Sequence, residues 1–185
     1  MAGLVAATAV LGGCSEKQEA NDSLPSTTAT ETTPELPTLG PEDLPMPDEA
    51  RTQDAAGAEA FVRYYIELIN RAADRVDAAP LRQLSDQCDD CDRITTNVEL
   101  GAKAGYRYEG GEISVTDVAA PLLQGDMAEI AIRVDQATLT VLDSANARVE
   151  QQSSDALVGL DGSVALVWDP ALTTWLMTYM GFGPA

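Results

Sequence analysis

At 185 residues the chain has the length of one domain, and its 45% apolar content suits a globular class. Its 30 acids against 11 bases give a formal charge of −19, which repels a phosphate backbone, and no basic stripe interleaved with aromatics offsets it; nucleic-acid binding is excluded. The lack of any histidine removes the usual neutral-pH general base and the commonest metal ligand.

Residues Ala2 to Val10 are small or apolar and run into Leu11-Gly12-Gly13-Cys14. A branched apolar residue, two small ones and a cysteine resemble the lipobox of bacterial lipoproteins, where small residues let the chain lie extended in a narrow peptidase cleft. The resemblance implies a signal peptide over 1–13, cleavage before Cys14, and a diacylglyceryl group on the Cys14 thiol. The membrane is then a partner through the lipid anchor, and the domain sits at the cell membrane on its extracytoplasmic face. Two acyl chains, at roughly 0.8 kcal/mol per buried methylene, hold far better than one. A helix crossing a bilayer takes about 20 apolar residues, more than this segment has. The competing reading is a short buried apolar segment with a stray cysteine. No Lys or Arg precedes the apolar run, so the signal reading expects a basic stretch upstream of Met1.

From Ser15 to Asp54 there is no aromatic residue, six of the ten prolines, ten acids and two bases. Such a stretch buries too little apolar surface to offset its ordering entropy. Residues 14–54 therefore read as the lipidated cysteine plus a disordered acidic Thr/Pro-rich tether, and 55–185 as the globular domain.

Within that domain, Phe61, Tyr64, Tyr65, Leu68 and Ile69 recur at three and four and predict a helix over 55–76, with Asp54 as its cap. Pro80 opens a short second helix through Leu84. A third runs from near Asp90 to Ala104, with Ile94, Val98 and Leu100 inward, and ends near Gly105. After the Gly110-Gly111 turn the period becomes two: Ile113, Val115 and Val118, then Ile130, Ile132 and Val134, mark half-buried strands. The phase slips near Gln136, where a bend or bulge moves the apolar role to Leu139 and Val141. Further strands are expected over 148–160, 163–169 and 172–180, with Asp161-Gly162 as a hairpin and Asp169-Pro170 as a turn.

Helices followed by hairpin-linked strands predict an α+β fold, with N-terminal helices packed on a curved antiparallel sheet. This order resembles the nuclear transport factor 2-like, or cystatin-like, cone. The resemblance implies a pocket between sheet and helices, which that superfamily uses in enzymes, binding modules and dimer scaffolds alike. More narrowly, the lipobox, the acidic tether, Phe61-x2-Tyr64-Tyr65 with Asn70, Leu81-x2-Leu84-Ser85 and Cys88-x2-Cys91 resemble an actinobacterial lipoprotein family, domain of unknown function 6318. That family brings a location and a disulfide, and no catalytic residues.

Cys88-Asp89-Asp90-Cys91 has three readings. With Cys14 lipidated, two cysteines remain to pair outside the cytoplasm, which favours a structural disulfide of Cys88 and Cys91. A redox pair would want neighbours that stabilise thiolate, whereas Asp86, Asp89, Asp90 and Asp92 oppose it. These acids could alternatively hold calcium, but they lack the spacing and glycine of a known loop. Two cysteines without histidine fall short of a zinc site, so no metal and no cofactor is expected. Tyr64, Tyr65, Asp74 and Tyr106 are the acid/base candidates, each with a plain structural explanation, and no catalytic residue is assigned.

Between Ala156 and Ala185 only Asp161 and Asp169 are charged, and the strands there carry apolar residues on both faces. One face packs under the helices. The other is covered within the domain, forms a homodimer face, or takes a hydrophobic ligand or an envelope protein. Tyr64, Tyr65, Trp168, Trp175, Met177 and Tyr179 are the pocket or interface candidates. The sequence thus reads as a non-enzymatic binding or interaction module, with a small-molecule enzyme of the cone superfamily and a thiol oxidoreductase as alternatives.

Overall fold

A computed structural model describes residues 36–183. The expected signal peptide, Cys14 and the expected tether up to residue 35 lie outside the described residues. Helix α1 (Ala55–Arg75) is capped by the Asp54 carboxylate, which accepts from the Gly57 amide at 2.7 Å. It buries Phe61, Tyr64, Tyr65, Leu68 and Ile69, as their spacing predicts. A short helix α2 (Ala79–Gln83) leads to α3 (Asp89–Ala104), which closes on Gly105 in the left-handed conformation. Asp89, Asp90 and Asp92 occupy the first turn of α3, where the positive end of the helix dipole favours them. Leu100 faces solvent; Thr95 and Gly101 take the inward positions instead.

Seven strands follow. A two-stranded ribbon joins β1 (Arg107–Gly110) to β5 (Leu139–Leu142). The main antiparallel sheet runs β2 (Ile113–Val118), β4 (Met127–Gln136), β6 (Leu157–Asp169), β7 (Thr174–Gly183), with β3 (Leu122–Gln124) also paired to β4. Ala128, Ile130, Ile132 and Val134 of β4 meet the helices, together with Val164 and Leu166 of β6 and Trp175, Met177 and Met180 of β7. The α+β class, with helices against a curved antiparallel sheet, is the one the sequence indicates. The slip expected near Gln136 is a register shift between β4 and β6 at Val134/Gln136, beyond which the chain leaves for the ribbon.

Three expectations are corrected. The folded body begins well before Ala55, because Leu39, Met46 and Ala50 are buried against the domain. The Arg51 guanidinium donates to the carbonyls of Pro37 and Leu172, both at 2.7 Å, and the Trp175 indole donates to the Thr52 carbonyl at 3.0 Å. Prolines there limit the entropy lost on ordering, so few apolar groups suffice to hold the segment. Asp161-Gly162 is mid-strand in β6, not a hairpin. Asp161 pairs across to Arg133 at 2.7 Å, and Gly162 leaves room for the Phe182 ring, whose Cδ1 would lie 2.5 Å from an added Cβ. Residues 148–156 form no long strand: Glu150–Gln152 is a 3-10 turn ahead of β6.

Candidate functional site

A cavity of about 670 Å³ opens between the C-terminal half of α1, the middle of α3 and the β1–β5 ribbon. Ile69, Ile94, Val98, Ile113 and Leu139 give it an apolar wall. Asn70 fixes one side. Its Nδ2 donates to the Ile113 carbonyl at 2.9 Å and its Oδ1 accepts from the Ile113 amide at 2.8 Å, so the side chain bonds β2 as a neighbouring strand would. The side-chain amides of Asn97, Gln136 and Gln152 also line the cavity, with no protein partner among the described residues.

The charged rim belongs to α1 and the segment before it. Arg71, whose side chain is 16% exposed, lies between Asp43 at 2.9 Å and Asp77 at 3.0 Å. Arg75 reaches Asp74 at 3.2 Å and Asp43 at 3.8 Å. The hydrogen bond from Arg71 holds the Asp43 carboxyl below the usual aspartate range. The Tyr64 hydroxyl donates to the Leu44 carbonyl at 2.9 Å, pinning the Asp43-Leu44 turn at the mouth, and burial pushes this phenol up to about 12. Burial also raises the Tyr108 phenol on the opposite wall. Glu112 completes the rim on the β1–β2 turn.

None of the six sequence candidates lines this cavity. Tyr65 is buried with its hydroxyl 3.4 Å from the Leu81 carbonyl, and burial lifts its phenol to about 12. Tyr64 is buried and acts at the mouth only through Leu44. Trp175 and Met177 are core residues, and half-buried Trp168 meets Trp175 edge-on at 5.4 Å between ring centres. Tyr179 shares the odd numbering of Trp175 and Met177 but lies on the outer face. A register shift between β6 and β7 leaves Thr178 unpaired and reverses the facing, so Met180 points inward and Tyr179 is 50% exposed. The outer face is not covered by any described element; Met127, 49% exposed, lies there with Ala131, Ala165 and the Arg133–Asp161 pair.

Of the acid/base candidates, Asp74 stands at the cavity mouth beside Arg75, while Tyr106 lies half-buried beyond α3. Cys88 and Cys91 are joined as a disulfide and are 2% and 1% exposed, so a partner thiol has no path to either sulfur. Cys88 also caps α3, its Sγ accepting from the Cys91 amide at 3.2 Å. Among the described residues no three acid or cysteine side chains converge to hold a metal ion, and no helix is long and apolar enough to cross a membrane. The cavity residues Arg71, Arg75, Asn97, Glu112 and Gln152 carry no sequence signal, whereas the apolar wall reads as core and Asp74 as an acid/base candidate.

The profile of a family of unknown function, DUF6318, matches residues 40–179. Among solved structures, the intermembrane space region of the chloroplast protein ARC6 is similar, with 17% identity, a TM-score of 0.51, and coverage of 72% of this chain and 99% of that one. A nuclear transport factor 2-like superfamily protein from Salmonella enterica is 14% identical with a TM-score of 0.45, covering 70% of this chain and 93% of its own. A cystatin-like domain of unknown function from Nostoc punctiforme is 10% identical with a TM-score of 0.39, covering 67% and 75%. No curated protein matches the sequence.

Proposed function

The chain belongs to DUF6318, a family of unknown function, and from its own geometry we propose a non-enzymatic binding module that takes a small amphipathic molecule into the cavity between α1, α3 and the ribbon. The observation that carries this reading is a cavity of about 670 Å³ lined both by apolar side chains and by the side-chain amides of Asn97, Gln136 and Gln152. That mixed lining suits a ligand with an apolar body and a hydrogen-bonding group. Binding is favoured over catalysis because three usual routes for moving a proton are closed. Asp43 is committed to Arg71, the Tyr108 phenol is raised by burial, and the chain has no histidine.

The module is held by lipid on Cys14 at the extracytoplasmic face of the cell membrane. Leu11-Gly12-Gly13-Cys14 supports this location, and a buried disulfide is at home in an oxidising compartment. An unmodified Cys14 thiol in the mass spectrum of membrane-extracted protein would remove the anchor from the proposal.

Uptake of the uncharged dye N-phenyl-1-naphthylamine, followed by fluorescence, tests the cavity. Leu139→Trp places an indole where the ribbon faces the space. It is expected to weaken dye uptake by about tenfold or more, the loss of roughly 1.4 kcal/mol, with the circular dichroism spectrum unchanged. Equal uptake by a folded Leu139→Trp protein would falsify the cavity assignment.

A further inference from the structure

Resting on that cavity reading, we infer that the site selects cationic amphiphiles: molecules with an apolar body and a single ammonium or guanidinium head. The argument is a charge account of the cavity rim. Both arginines there are already engaged, Arg71 by Asp43 and Asp77, and Arg75 by Asp74 and Asp43. An anionic head meets two guanidinium groups already outnumbered by the carboxylates of Asp43, Asp74 and Asp77. Glu112 is in the opposite position. It lines the cavity from the β1–β2 turn, and among the described residues its carboxylate has neither an ion pair nor a hydrogen bond. A cationic head finds this carboxylate unengaged, with the cavity amides of Asn97, Gln136 and Gln152 available for its remaining N–H groups. Ile69, Ile94, Val98 and Leu139 meanwhile receive the apolar body.

The wider field acts in the same direction. A net charge of −19 raises the local concentration of cations and lowers that of anions around every opening of the molecule. Glu112 is the local element that turns this general bias into selection, because its charge stands at the cavity itself.

Three ligands of one chain length, decylammonium, decanol and decanoate, separate the local effect from the general one. Each is titrated against bound N-phenyl-1-naphthylamine on the folded domain, the two ions below their micellar concentrations and decanol below its solubility limit. Decylammonium is expected to displace the dye at about fivefold lower concentration than decanol, as befits a solvent-screened charge pair, with decanoate the weakest. The advantage should shrink as salt is raised from about 0.01 M to about 1 M. Glu112→Gln, on an exposed turn, is expected to bring decylammonium to the level of decanol. Glu129→Gln makes the same change in net charge on the outer sheet face and should leave the ranking intact. If decylammonium does no better than decanol, or keeps its advantage in Glu112→Gln, the charge selection is wrong while the cavity reading stands. No dye uptake by the unmodified protein removes both.

Discussion

Asp43 joins the segment before α1 to the cavity rim, through the Arg71 guanidinium at 2.9 Å and Arg75 at 3.8 Å. Its carboxyl is held below the ordinary value of 3.8, first by the hydrogen bond from Arg71. A lowered folded value means that the charged form is favoured by folding, so the contribution is present above 3.8 and fades as pH falls through the lowered value. Asp43→Asn is therefore expected to melt below the unmodified protein at pH 7. The two melting curves should converge as pH is taken down through 3.8, which thermal unfolding at several pH values would check. A gap that stayed constant at low pH would mean that Asp43 acts through packing and not through charge. Nothing in the sequence marked this residue, because its partner lies 28 positions away on another element. The role of Asn70, which the sequence offered only as part of a motif, was hidden for the same reason: both of its bonds to backbone go to Ile113, 43 positions on. Side-chain periodicity reports which face is apolar and says nothing about polar pairs made across the fold.

The legible elements were the long ones with a clean period. Helices α1 and α3 repeat their apolar groups often enough for one face to stand out, and β4 alternates without a break over Ala128 to Val134. Strands β1 and β3 span four and three residues, too few for alternation to be read. In β7 a single unpaired residue, Thr178, turned a correct apolar pattern into a wrong face for Tyr179. The ribbon's seat on α3 was equally silent, although a glycine marks it. Gly101 is buried in α3 with the Tyr108 hydroxyl against the place a Cβ would occupy. In an open helix, alanine there would stabilise by about 1 kcal/mol. Gly101→Ala is instead expected to destabilise by about 1–3 kcal/mol, because the tyrosine must move and take the ribbon with it. In a Tyr108→Ala background the overlap is gone, and the same substitution should become neutral or stabilising. Urea unfolding of the four proteins checks the reversal of sign; additive effects would show that Gly101 is needed for some reason other than the ring.

For the whole molecule, the class of fold was readable because burial pattern and element order are properties of the chain itself. The boundary of the folded body was not, because composition judges a segment alone. Residues 36–54 look unable to fold alone, and what holds them lies on the domain they cross. Leu39, Met46 and Ala50 fill space against α1 and β7, Arg51 caps the β6–β7 turn through the Leu172 and Thr173 carbonyls, and Ala50 accepts from the Thr174 hydroxyl at 3.2 Å. Removing the segment uncovers buried apolar groups and strips partners from the Trp175 indole, the Thr174 hydroxyl and the Tyr64 phenol together. Burial of a leucine and a methionine alone is worth about 3 kcal/mol, to be set against the entropy of ordering a segment already stiffened by proline. A chain starting at Glu35 is expected to unfold in urea with the midpoint of the longer protein. One starting at Ala55 should unfold at a lower midpoint and, with Asp43 and Leu44 gone from the mouth, also bind N-phenyl-1-naphthylamine more weakly. Equal midpoints would mean that the segment rests on the surface without supporting it, and the cavity would then have to be drawn without its Asp43-Leu44 edge.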